Sequence, residues 1–316
     1  MKIDIFSHYL PKKYFETLSG KVQAGTDFSK EAEWMLKNAA LSQLEVRLRL
    51  MDRYPDVLQV LTLATPPLET LVKPQDAVDL ARMANDEMAE LVAKYPDKFI
   101  AAVACLPLAD ADAAVEEADR AIKELHFRGV QLFSNINGEP PDEPKFRPLY
   151  ERMAQHDLPI WIHPWSLPTR VLSRESQEWV KGLLLRNMLG WPFETSVAMV
   201  RLAIAGILDD YPGLSFITHH CGGMVSFFER RLGIDKLRRF YNDTALYGNS
   251  AALMCGYAYF GADHLLFGTD MPLGSGALGY GYTQETIRSI KRMNVPDEDK
   301  GKIFEHNARR LLKLPV

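Results

Sequence analysis

Short apolar segments alternate with longer amphipathic ones along nearly the whole chain, and this alternation leaves few folds open. Strand-like runs occupy Ile3 to Ser7, Val57 to Ala64, Phe99 to Cys105, Gly129 to Phe133, Pro159 to Ile162, Ser215 to Thr218, Arg239 to Asn242 and Leu265 to Gly268, eight in all. Between them lie stretches such as QDAVDLARMANDEMAELVAKY and DAAVEEADRAIKELHF, whose apolar residues recur every three or four positions. That spacing buries one face of a helix. Strands separated by helices pair in parallel, and eight such units in 316 residues predict a closed α/β barrel of the (β/α)8 (TIM) type. An open doubly wound sheet is the alternative. No GxGxxG opens a helix after the first strand, which argues against that sheet and against a dinucleotide cofactor.

Composition narrows the function classes. A net charge of −4 supplies no basic field, so nucleic acid is not expected as a partner. No run of about 18 apolar residues is present, so no membrane association is expected either. The cysteines Cys105, Cys221 and Cys255 show no CxxC spacing, and their odd number suits a reducing compartment, so a cytoplasmic location is expected. Residues 1–316 read as a single barrel domain with two long insertions, near 11–40 and 164–192. Each follows the carboxyl end of a strand and is expected to cover the active-site face.

The histidines sort by which end of a strand they occupy. His126, His156 and His264 precede strands and His306 lies in the last helical segment, positions that serve stability in such barrels. His8, His163, His219 and His220 instead close the strands IFSH, IWIH and FITHH. Asp270 closes the eighth in FGTD, and Asp243 follows the seventh in YND. Histidine and carboxylate converging from separate strands form a ligand set for Zn²⁺ or a similar divalent ion. Asn135, in the FSNING turn after the fourth strand, lies at the same face, where it could bind substrate. Cys221 reads as a small residue filling a glycine-rich turn.

Further motifs carry a family resemblance. MKIDIFSHYLP, EVRLRLMD, RGVQLFSNING, IWIHPW, GWPFETSVAMVRLAIAGILDDYPGLSFITHHCGG, FFERRL, LLFGTDMPLG and NARRLLKL occur in this order. As a set they resemble amidohydrolase-superfamily enzymes related to aminocarboxymuconate semialdehyde decarboxylase. The resemblance implies a distorted (β/α)8 barrel with one divalent metal ion, zinc foremost and manganese as an alternative. It further implies His8, His163 and Asp270 as metal ligands, and His220, counted back from Gly222 and Gly223, as the catalytic histidine in preference to His219. Phe6 departs from the pattern. It stands where the family has the first histidine of an HxH pair, on the same side of the strand as His8, and it cannot ligate. His8, His163 and Asp270 then remain as three protein ligands, the number typical of catalytic zinc sites.

Arg231 in FFERRL matches an arginine that the family extends across a dimer interface to hold a substrate carboxylate, which implies a homodimer. The second carboxylate-holding arginine has no counterpart between residues 26 and 43, leaving Lys30, Lys37 and Arg170 as candidates. Trp165 and Trp191, with Trp161, Phe193 and Tyr280, are candidates to line a flat substrate pocket around Phe6. The resemblance implies a decarboxylase of an aromatic or conjugated unsaturated carboxylic acid. The same residues could hydrolyse a lactone, an amide or a C–C bond, with Asp270 accepting a proton from water. A metal-free barrel acting as a binding module is the third reading.

Overall fold

The computed structural model describes residues 1–23, 28–64, 66–165, 186–273 and 281–314. The side chains of residues 29–31, 34, 186 and 187 lie outside this description, as do Arg170 and Tyr280.

The expected strands form β1 (Lys2–Tyr9), β2 (Val57–Leu63), β3 (Phe99–Ala102), β4 (Val130–Phe133), β5 (Ile160–His163), β6 (Phe216–Thr218) and β7 (Tyr241–Asn242). They pair in chain order as a three-stranded and a four-stranded sheet. Every pairing is parallel. Three seams join these sheets and residues 265–271 into a closed ring. Ala104 bridges β3 to Val130 of β4, Asn242 of β7 bridges to Leu265, and Ser7 of β1 bridges to Met271. Backbone bonds reinforce the last seam, from Ile5 N to Phe267 O at 3.0 Å and from Asp270 N to Phe6 O at 3.1 Å. The architecture is therefore a (β/α)8 barrel.

Residues 265–268, expected as an eighth strand, close the ring together with residues 269–271 but without a regular ladder. Three of their amide donors are used elsewhere. Phe267 N donates to Ile303 O at 2.7 Å, Gly268 N to Thr244 Oγ1 at 3.1 Å and Thr269 N to Asp4 Oδ1 at 3.0 Å. Gly268 also passes so close to β7 that a Cβ there would lie 2.8 Å from Asp243 Cβ. This close approach brings Asp243 and Asp270 to the same end of the barrel.

Helices form where the apolar spacing predicts. The helix Pro74–Lys94 starts with proline at its first position, where no amide donor is needed, and buries Ala77, Leu80, Ala81, Ala84 and Met88 on one face. Helix Ala111–Lys123 is capped by Asp110, whose carboxylate accepts from Asp112 N and Ala113 N. Asn85 fastens the first of these helices to the barrel, exchanging bonds of 2.9 Å with both backbone groups of Cys105.

The barrel interior is a packed core of Ile3, Ile5, Phe6, Val60, Val103, Trp161, Ile217 and Leu266, with Leu312 and Leu314 of the carboxyl terminus packed into it. Each large apolar side chain buried there contributes about 1.5–3 kcal/mol. Trp161 corrects one expectation. It is fully buried, donates its indole N–H to Ile5 O at 3.0 Å, and lies where a Cβ on Gly129 would come within 2.4 Å. It is core, not pocket wall.

Of the two insertions, the first contains the helices Lys12–Lys21 and Phe28–Lys37. The second is described only at its ends. No helix among the described residues is long and apolar enough to cross a membrane.

Candidate active site

At the carboxyl ends of the strands, one buried cluster gathers His8, His163, His219, His220 and Asp270. Each member is aimed by a specific partner. Arg47, itself buried, grips the end of β1 through His8 O at 2.8 Å and Ser7 Oγ at 2.6 Å. The His8 ring bonds Thr62 Oγ1 through Nδ1 at 2.9 Å, which turns Nε2 inward, 3.1 Å from Asp270 Oδ1. Despite that proximity, Nε2 makes no hydrogen bond of acceptable geometry and is sealed from solvent. His163 Nδ1 lies 2.8 Å from Pro164 O. A carbonyl only accepts, so Nδ1 carries the proton and Nε2 keeps its lone pair.

His219 is the most connected member. Its Nδ1 bonds Asp243, and its Nε2 lies 3.2 Å from Asp270 Oδ1. Asp243 is fixed in turn, because its Oδ1 accepts from both Cys221 N and Ala245 N at 3.0 Å. Phe6 stacks on one face of the His219 ring, with centroids 4.1 Å apart, and His220 stacks at the same distance. Phe6 is fully buried, so it braces this histidine and offers no open face to a substrate. Burial alone would strip His219 of its charge, but Asp243 and Asp270 outweigh burial and raise its pKa to about 10. For Asp270 burial pushes upward, yet His219 and His8 hold it well below the usual carboxylate range. Burial, reinforced by the neighbouring imidazoles, lowers His163 well below its ordinary value and His220 to about 3.

Strained backbone builds this face. His220, Cys221 and Asp270 all have positive φ, at 54°, 53° and 62°. Non-glycine residues pay for that conformation, and it persists where the surroundings over-determine it. The following glycines are obligatory. A Cβ on Gly223 would lie 2.1 Å from Pro192 O, and one on Gly222 2.7 Å from Asn242 Oδ1. Cys221 fills the turn as expected and packs against Gly256. The tight turn sets the His220 ring nearly parallel to Trp191, with centroids 6.4 Å apart, and leaves its Nδ1 buried without a partner.

A family model described as Amidohydrolase matches residues 34–314. Gamma-resorcylate decarboxylase of Rhizobium sp. (strain MTP-10005) is 31% identical, over 99% of this chain and 98% of that protein. The chain belongs to the amidohydrolase family. A second relative, 2-amino-3-carboxymuconate-6-semialdehyde decarboxylase of Dictyostelium discoideum, is 27% identical over 99% of this chain and 92% of its own. Among solved structures, dihydroxybenzoic acid decarboxylase from Polaromonas sp. JS666, with bound manganese and the inhibitor 2-nitroresorcinol, superimposes with a TM-score of 0.80 at 25% identity, covering 99% of this chain and 96% of that one. The resemblance read from the motifs is thus the family to which this amidohydrolase belongs.

The remaining sequence candidates fall in different places. Trp165 is half-buried at the mouth of β5, its carbonyl accepting from Asn135 Nδ2 at 3.0 Å. Asn135 also accepts from Gly138 N at 3.1 Å, so its amide shapes the loop around Trp165. Trp191 meets the His163 ring edge-on at 5.8 Å, and its indole N–H is buried without a partner. Arg231 is exposed on the short helix Glu229–Leu232, near the exposed Phe227 and Phe228, and takes no part in the buried cluster. Lys37 is exposed and pairs with Glu33 at 2.7 Å, while Arg170, Tyr280 and the Lys30 side chain lie outside the described residues.

Sequence reasoning passed over several residues of this amidohydrolase site. Asp243 was visible at a strand end but had no assigned role. Tyr247, whose hydroxyl donates to Asp270 Oδ2 at 3.3 Å, and Thr62 carry no motif signal. Glu194 lies in the WPFET segment, fully buried, with Oε2 accepting from Ser134 Oγ at 3.3 Å and Oε1 unpartnered. Burial raises its pKa to about 9, so it is a neutral carboxylic acid at pH 7.

Proposed function

We propose that this protein is a divalent-metal-dependent decarboxylase of an aromatic or conjugated unsaturated carboxylic acid. The observation that carries the reading is the convergence of buried imidazole nitrogens on Asp270, the Nε2 atoms of His8 and His219 lying 3.1 and 3.2 Å from its Oδ1. Imidazoles and a carboxylate converging in a buried site are the donor set that suits a divalent cation. His8, His163 and Asp270 would hold the ion. Zinc suits a set rich in imidazole, although the Polaromonas relative holds manganese. A bound divalent ion would supply Lewis-acid polarisation of a substrate oxygen.

His220 handles the proton in this reading. Buried and neutral alone, its imidazole gains a proton when a substrate carboxylate arrives beside it, because the opposite charge favours the ionised form. It delivers that proton to the carbon bearing the carboxylate. The C–C bond then breaks, its electron pair returns to the conjugated system, and CO2 leaves; one proton is consumed and no oxidant is needed. Asp270 stabilises the imidazolium. Trp165 and Trp191 flank the substrate ring, the unpartnered Trp191 indole N–H donates to one of its oxygens, and Asn135 and Phe6 act by positioning Trp165 and His219.

The proposal includes a single cytoplasmic barrel domain whose insertions near 11–40 and 164–192 cover the site, and a homodimer in which Arg231 reaches the neighbouring site. Free thiols at Cys105, Cys221 and Cys255 support the compartment, and exposed Phe227 and Phe228 beside Arg231 support the dimer. The test is CO2 release from 2,6-dihydroxybenzoate and carboxymuconate-type acids by protein loaded with zinc or manganese. Turnover abolished by His163→Ala and Asp270→Asn is expected. Hydrolysis of a lactone or amide without CO2 release would establish the hydrolytic alternative, and failure to bind any ion would leave the binding module.

A further inference from the structure

Resting on the reading that the site holds a divalent ion, we propose that His219 is itself a ligand, replacing from β6 the histidine that Phe6 displaces from β1. One ligand atom each from His8, His163 and His219 lie within 4.8 Å of one another, and so do those of His219, His220 and Asp270. His219 is common to both groups. Its Nε2 and that of His8 lie at nearly equal distances from the same oxygen, Asp270 Oδ1, at 3.2 and 3.1 Å.

The outer contacts repeat one pattern. His8 Nδ1 is held by Thr62, His163 Nδ1 by Pro164 O and His219 Nδ1 by Asp243, so each ring has one nitrogen occupied outside and the other turned inward. Outer hydrogen bonds of this kind fix the tautomer and orientation of metal-bound histidine, with carboxylate the strongest such partner. His220 lacks the pattern, because its Nδ1 has no partner. Phe6, which cannot ligate, lies flat against His219 and holds its ring in place. The replacement leaves three imidazoles and one carboxylate, the same number of protein ligands that a histidine at position 6 would have given; a substrate oxygen would join as a fifth ligand, and His220 is free for proton transfer.

The test is metal affinity, by competition with a chromophoric chelator, together with the number of imidazole scatterers in the X-ray absorption spectrum of the zinc-loaded protein. We expect three imidazoles in the wild type and in His220→Gln. We expect two in His219→Gln, with affinity weakened about 100-fold or more, and three again in Phe6→His/His219→Gln. A wild-type spectrum with two imidazoles, or His219→Gln with unchanged count and affinity, overturns the proposal while leaving the metal site standing. A wild type that binds no ion after loading overturns both. The wild-type count decides the matter should His219→Gln not fold.

Discussion

Substituting Asp243 by asparagine changes almost no atoms and should cripple the metal site. Asp243 Oδ1 receives two backbone donors, Cys221 N and Ala245 N, while the other oxygen meets His219 Nδ1. Asparagine must keep its carbonyl toward those two amides, because the reverse orientation would set its NH2 against them. The amide nitrogen then faces His219 and donates to Nδ1, which becomes an acceptor. The remaining ring proton is then held at Nε2, where it blocks the lone pair that an ion would need. Loss of such a carboxylate partner typically lowers metal affinity by about 10- to 100-fold, or roughly 1.4–2.7 kcal/mol. The fold should suffer less. Two charge-assisted bonds become neutral ones, at about 1 kcal/mol each, which lowers the melting temperature by several degrees. Chelator competition on zinc-loaded protein reads the affinity and a melting curve reads the fold. An Asp243→Asn protein that is folded and binds zinc as tightly as wild type would refute the tautomer argument.

Three further outcomes follow from particular contacts. A Cβ on Gly256 would lie 2.4 Å from Cys221 Sγ, so Gly256→Ala should cost about 1–3 kcal/mol by overpacking, and most of that should vanish in Cys221→Ala/Gly256→Ala. Chemical denaturation of the four proteins measures the coupling, and additive costs would show that the thiol is not the obstacle. The folded-state pKa of Glu194, about 9, lies above its ordinary 4.5, so folding favours the protonated acid. That contribution is complete below the unfolded value and is lost as pH rises toward 9, at up to about 1.4 kcal/mol per pH unit; Glu194→Gln should flatten the decline, and parallel melting curves for the two proteins between pH 6 and 9 would contradict it. Arg231→Ala and His163→Ala should each be inactive yet regain activity when co-expressed and isolated as a heterodimer, one of whose sites is then whole; heterodimers without activity would place Arg231 outside the shared site.

The barrel was legible because strand and helix spacings are local properties of the chain, and so was the end of the barrel that carries chemistry. His8, His163 and Asp270 were found by that rule, since a strand end is visible in IFSH, IWIH and FGTD. Other features depend on contacts between distant segments. The irregular eighth stave arises where Thr244 and Asp4 take the amides of Gly268 and Thr269, and Ile303 that of Phe267. Trp161 reads as a pocket aromatic from its neighbours in sequence, but its partners are Ile5 and Gly129. The FITHH doublet resisted for another reason. Counting back from the glycines assumes a regular backbone, whereas His220 and Cys221 both turn into the left-handed region, so adjacent histidines receive unrelated environments.

That strained turn and Phe6 belong to one physical arrangement. A histidine at position 6 would bring a nitrogen to the cluster from β1. With phenylalanine there, an aromatic face is available, and the imidazole of His219 lies flat on it at 4.1 Å while Asp243 fixes its edge. The left-handed backbone at residue 220 lays the next imidazole on the His219 ring, with centroids 4.1 Å apart, and 6.4 Å from Trp191, where its Nδ1 stays unpaired. Strain at His220 and Cys221 costs on the order of 1–3 kcal/mol per residue, and its result is two adjacent histidines with opposite charge preferences. One is held between carboxylates and the other is neutral by burial. An undistorted strand would send consecutive side chains to opposite faces of the barrel wall. Only the break in the strand lets both histidines serve one site, so Gly222 and Gly223, which permit that break, are as necessary to the chemistry as the imidazoles they position.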